Sequence, residues 1–77
     1  MTSTTDFNPG DYIEMRNAKG DVVVRIVYLG DGNVQEYRQY RNLMTNEISD
    51  WRPADNSKPV AMNTAMIAEF AQKIIRA

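Results

Sequence analysis

The sequence predicts an α+β fold: a small, twisted antiparallel β-meander of about four strands, able to curl into an SH3-like half-barrel, covered by one C-terminal α-helix. Three observations carry this expectation. Segments rich in β-branched and aromatic residues alternate with short Gly- and Asn-containing turns through the first two thirds of the chain. A loop with two prolines then leads to the one segment with clear helical periodicity. Finally, 77 residues with 43% apolar side chains make one small domain, in which a four-stranded sheet needs a helix to bury its apolar face.

Residues 1–6 offer little to bury and are expected to form a disordered tail, with a single domain over 7–77. Asn8-Pro9-Gly10-Asp11 is turn chemistry, and Tyr12–Arg16 after it alternates as a half-buried strand does, with Ile13 and Met15 on one face. Beyond the Gly-containing connection Asn17–Asp21, Val22–Leu29 is the strongest strand signal and is apolar on both faces, so it should be central. Gly30-Asp31-Gly32-Asn33 is a second turn.

Val34–Met44 admits two readings. The spacing of Asn33 and Glu36 suits a helical capping box, whereas a start at a tight Gly turn, with Tyr37 and Tyr40 following, favours a strand; the strand is preferred. Leu43–Ile48 then forms a hairpin tip with Asn46 in the left-handed position, and Glu47–Arg52 a fourth strand that Pro53 stops or confines to an edge. Pro53–Pro59 is a loop. The helix, Thr64–Arg76, has Asn63 as its N-cap, Ile67, Phe70, Ala71, Ile74 and Ile75 on one face, and Lys73 and Arg76 in its last turn, where the dipole favours cations. The expected core is Ile13, Met15, Val22, Val24, Ile26, Ile67, Phe70 and Ile74, with some of Tyr28, Leu43 and Ile48.

Composition narrows function by exclusion. Without Cys or His there is no disulfide, no ordinary zinc or transition-metal site, and no Ser-His or Cys-His nucleophile pair, so catalysis would rest on carboxylates, Lys or Tyr. The acids Asp50 and Asp55, and Glu14 with Asp21, read as solvated strand-end carboxylates. Gly30-Asp31-Gly32 lacks both the third Gly of a dinucleotide loop and the Gly-Lys pair of a nucleotide-binding loop. The expectation is a protein that is not an enzyme and holds no cofactor or metal. Ten acidic against nine basic residues disfavour a polyanion binder that works by net charge. No apolar run approaches the roughly 20 residues of a membrane span, and the first residues lack the basic start of a signal peptide; a cytoplasmic location and no membrane partner are expected.

One compositional feature points to binding. Arg16, Arg25, Arg38, Arg41 and Arg52 are interleaved with Tyr12, Tyr28, Tyr37, Tyr40 and Trp51 on the expected sheet. This is the composition of protein-interface hot spots, and equally of stacking surfaces for single-stranded nucleic acid. On an ordinary sheet face the same residues pair across strands with Glu14, Glu36 and Glu47. Pairing around the tip at Thr45 and Asn46 should gather Arg38, Tyr40, Arg41, Trp51 and Arg52 at one end of the sheet, with Trp51 open to assignment as contact or core. The function expected is a small non-catalytic protein-binding module of accessory, adaptor or inhibitor type, of a size common among phage and mobile-element proteins. Its partner is a protein; nucleic acid on the same surface is the second reading, and a homodimer or larger homo-oligomer formed through a sheet edge without Pro is the third.

Overall fold

The structure, a computed structural model, describes residues 6–77. Four strands, β1 (Tyr12–Arg16), β2 (Val22–Gly30), β3 (Asn33–Arg38) and β4 (Arg52–Pro53), form an antiparallel meander in that order. A fifth, β5 (Val60–Ala61), pairs with the start of β3 on the side where β4 pairs with its end. One helix, α1 (Thr64–Lys73), completes an α+β fold whose sheet stays open and does not close into a barrel. No helix among the described residues is long and apolar enough to cross a membrane.

Turn chemistry sets the register. Asp31 and Gly32 form the two-residue β2–β3 loop, both with positive φ (54° and 79°), the geometry that matches the right-handed twist of the flanking strands. Tyr28 reinforces it, its hydroxyl accepting the Gly32 amide at 2.9 Å. In the β1–β2 connection, Asn17 Oδ1 accepts the amides of Lys19 and Asp21.

The register places Ile13 opposite Ile26 and Tyr28 opposite Val34, all on the face that α1 covers. Phe70, fully buried on α1, meets Phe7 at a centroid distance of 5.5 Å, and Phe7 meets Tyr28 edge-on at 5.7 Å. Each large side chain buried in this cluster contributes about 1.5–3 kcal/mol. The helix starts where expected: Asn63 is extended, and its Oδ1 accepts the Met66 amide at 2.8 Å.

Several expectations need correction. The helix ends at Lys73, before Arg76, because Ile74 is extended and Ile75 pairs with the outer edge of β1, exchanging both main-chain bonds with Tyr12. A β-branched pair beside an open strand edge satisfies more main-chain groups there than in another helical turn. The third strand is real but stops at Arg38, and Glu47–Arg52 contributes only its last residue to β4. The cause is local: Ser49 Oγ accepts the Tyr40 amide and donates to the Asp50 carbonyl, taking main-chain groups that a ladder would use. Met15 is exposed at 52%: it stands on the edge strand β1, where it lines an open groove with Glu69 and Lys73 of α1, while its register partner Val24 on the inner strand is buried. Leu43 and Ile48 are not core, since the segment carrying them leaves the sheet. Val22, Ile26, Ile67 and Ile74 are half-buried, while Phe7, Val34 and Ala54 join the core. Of the tail, residues 1–5 lie outside the described residues; the Asp6 carbonyl accepts from Arg76 Nη1 at 3.0 Å.

Asp11 closes the structure end to end. Only 2% exposed, its carboxylate accepts the Asn8 amide at 2.9 Å, Arg76 Nη1 at 2.8 Å and the Ala77 amide at 3.1 Å. The Asn8 amide, with the Ala77 amide and Arg76, outweighs burial and holds the carboxyl below its ordinary value of 3.8. The folded state therefore binds this proton less readily than the unfolded chain does. Its contribution is complete above about pH 5, begins to fall as pH approaches the ordinary value of 3.8, and is lost as pH falls through the lowered value. Asp11→Asn is expected to cost about 2 kcal/mol at neutral pH through donors left without an anion, and to flatten the acid limb of stability against pH; denaturant unfolding between acid and neutral pH measures both.

Candidate interaction surface

The five residues expected to gather do so, around an excursion that leaves the sheet after Arg38 and returns at Arg52. Its arms pair Arg38 with Arg52, Tyr40 with Ser49 and Arg41 with Ile48. Two residues, Asp50 and Trp51, thus lie opposite the single Gln39. This bulge-like step takes Trp51 out of strand alternation and lets it turn back over the sheet.

Trp51 lands on Arg25. The Arg25 guanidinium carbon lies 4.4 Å from the Trp51 ring centroid and 4.3 Å from that of Tyr12, so the cation is stacked between two aromatic rings. Its Nη2 is 3.7 Å from a Glu14 carboxylate oxygen, and its buried Nε has no hydrogen-bond partner among the described residues. Register places Arg25 between Glu14 on β1 and Tyr37 on β3, at the middle of the sheet face opposite α1. Trp51 is thus half-buried, neither a core residue nor a free contact: it fastens the excursion to the open face.

A second stack secures the other arm. Arg52 lies 4.3 Å from the Tyr40 ring centroid and 3.9 Å from Asp55, and the Tyr40 hydroxyl accepts the Asp55 amide at 2.7 Å. Arg38 pairs with Glu36 along its own strand, and that carboxylate raises the already high pKa of the guanidinium. Arg41 Nη1 donates to Asn46 Oδ1 at 2.9 Å.

The tip between the arms is rigidly built. Asn42 Oδ1 accepts the amides of Met44 and Thr45, the Asn42 amide donates to the Glu47 carbonyl, and the Asn46 amide donates to the Asn42 carbonyl. Asn46 takes φ 63°, the left-handed position expected from the sequence. This frame holds Leu43 and Met44 out in water, 93% and 95% exposed.

Two open grooves flank the tip. One, of about 590 Å³, is lined by Val22, Val23, Ile48 and Trp51, with Arg38, Arg41 and Asp21 on its rim. The other, of about 360 Å³, runs past Tyr40, Arg41, Glu47 and Arg52. All five expected residues line one groove or the other, and Arg41 lines both. Sequence reasoning missed the exposed pair Leu43 and Met44, the rim residue Asp21, and Arg25 as the anchor. The alternation of β2 puts Arg25 on a face with apolar Val23 and Val27, which was the available signal. Among the described residues no group of three or more His, Cys, Asp or Glu side chains is placed to hold a metal ion. Comparison with known protein families, curated proteins and solved structures gives no match.

Trp51→Ala is expected to lower stability by about 2 kcal/mol, the loss of a partly buried ring and its half-buried cation–π pair with Arg25, while the sheet and α1 stay folded. Thermal denaturation read by far-ultraviolet circular dichroism checks this, with an unchanged folded baseline expected.

Proposed function

We propose that this protein is a non-catalytic protein-binding module whose contact surface is the excursion from Arg38 to Arg52. One observation carries the reading: Arg38, Tyr40, Arg41, Trp51 and Arg52 line two contiguous grooves around a hydrogen-bonded tip that holds Leu43 and Met44 almost fully exposed. On a pre-ordered turn the backbone carrying these apolar side chains has little conformational entropy left to lose when a partner buries them, so the ordering cost of binding is confined to their rotamers. Arginine and aromatic groups around them match the composition of hot spots. An accessory, adaptor or inhibitor protein of the cytoplasm would use such a surface.

Nucleic acid remains the second reading, and two features weigh against it. The aromatic groups that would stack on bases are covered on one face by the chain's own arginines, Trp51 by Arg25 and Tyr40 by Arg52. Arg38, Arg25 and Arg52 each have a carboxylate within 4 Å, which weakens their pull on phosphate.

Affinity capture from lysate, with and without nuclease, tests the reading once affinity for the captured protein is measured. Capture is expected to survive nuclease, and Arg41→Ala to cost roughly 1–3 kcal/mol of affinity with a shallow dependence on salt. Nuclease-sensitive capture, with a salt slope that falls by about one for each arginine removed, is the outcome for nucleic acid.

A further inference from the structure

The excursion end of the molecule carries a knob and a socket in one patch. The knob is Leu43 with Met44, which point into solvent and therefore do not fill the groove beside them. The socket is the 590 Å³ groove floored by Val22, Val23, Ile48 and Trp51, where Val23 and Ile48 are themselves exposed large apolar residues. Charges of both signs surround them: Asp21 and Arg41 on the groove, Glu47 on the far side of the tip. A two-fold interface requires one patch to complement itself, with each contact made twice. Knob, socket and both charges within one patch meet that requirement.

The alternative route to self-association, through the β1 edge, is narrow. Ile75 occupies the main-chain groups of Tyr12, and a register shift between Met15 and Arg16 disturbs the strand's other end. Bulges and covering segments are the usual means by which proteins blunt such edges.

We infer that the partner of this surface is a second copy of the same chain, Leu43 and Met44 of each protomer seating in the other's groove about a two-fold axis. Arg41 of each copy then faces Asp21 of the other. This inference rests on the reading of the excursion as a protein contact, and it names the occupant.

Sedimentation equilibrium of the full chain from about 1 μM to about 1 mM spans the affinities such a patch supports. The mass is expected to rise with concentration from 8.8 kDa to twice that value and no further. The double variant Leu43→Ser/Met44→Ser should raise the dissociation constant at least about tenfold while dilute, monomeric samples keep their melting temperature. Arg41→Glu should weaken the dimer by a similar factor, and adding Asp21→Arg to it should restore most of the loss. A mass of 8.8 kDa at every concentration overturns the inference. So does a ladder of higher masses, or a dimer indifferent to the tip variant. A constant 8.8 kDa with Arg41-dependent capture of another protein removes the homodimer and leaves the binding-module reading standing. A constant 8.8 kDa with capture indifferent to Arg41 removes both.

Discussion

The candidate surface depends on a cation held between two aromatic rings. Arg25 stands on the central strand of the sheet, and its stacking on Tyr12 and Trp51 joins β1, β2 and the returning arm of the excursion. β4 itself is two residues long, and the Tyr40 stack on Arg52 and the bond from the Asp55 amide to the Tyr40 hydroxyl tie the arms to each other and to the chain that follows β4, not to the open sheet face. A guanidinium suits this position because it is weakly hydrated and planar, so it can lie between two rings with less desolvation than an ammonium would suffer. The Nε left without a hydrogen bond is the cost of burying it there, offset by the two ring faces and the Glu14 carboxylate.

From that anchor outward, order comes from polar side chains instead of apolar packing. The side chains of Asn42, Thr45 and Ser49 accept main-chain amides around the tip, that of Asn46 accepts from Arg41, and none of the four residues is buried. These bonds fix the turn and leave Leu43 and Met44 almost uncovered by the described residues. The two halves of the molecule are thus held by different means: an aromatic cluster of Phe7, Tyr28 and Phe70 beneath α1, and hydrogen-bonded turns with stacked arginines around the excursion. Asp11 serves the first half, fastening the chain beyond α1 against the entry to β1.

Local chemistry was legible in the sequence wherever a single residue decides the outcome. Asn46 takes the left-handed position, Asn63 caps α1, and the β-branched run of β2 makes the central strand. The clustering of Arg38, Tyr40, Arg41, Trp51 and Arg52 was also readable, because a tip at Thr45 and Asn46 fixes which residues face each other. Other features depend on distant partners and left no local trace. β5 is two residues in a loop-like stretch and exists only because β3 has an open edge there. Ile74 and Ile75 carry helical spacing yet leave the helix for the edge of β1. The apolar character of Leu43, Ile48 and Met15 suggests burial, but Leu43 and Ile48 lie on the excursion that leaves the sheet and Met15 on its edge strand. Asp11 read as one residue of a turn, since its partners Arg76 and Ala77 lie 65 and 66 residues away.

The most direct measurement of the central claim is the side-chain NMR spectrum of Arg25. Stacking at 4.3 and 4.4 Å from two ring centroids predicts strong upfield ring-current shifts of its methylene protons and cross-relaxation to both Tyr12 and Trp51. It also predicts a slowly exchanging Nε proton, because that atom is buried. Arg25 resonances at solvent-exposed positions, with no cross-relaxation to Trp51, would contradict the account: the excursion would then be unfastened from the sheet, and the grooves it frames would have no fixed shape.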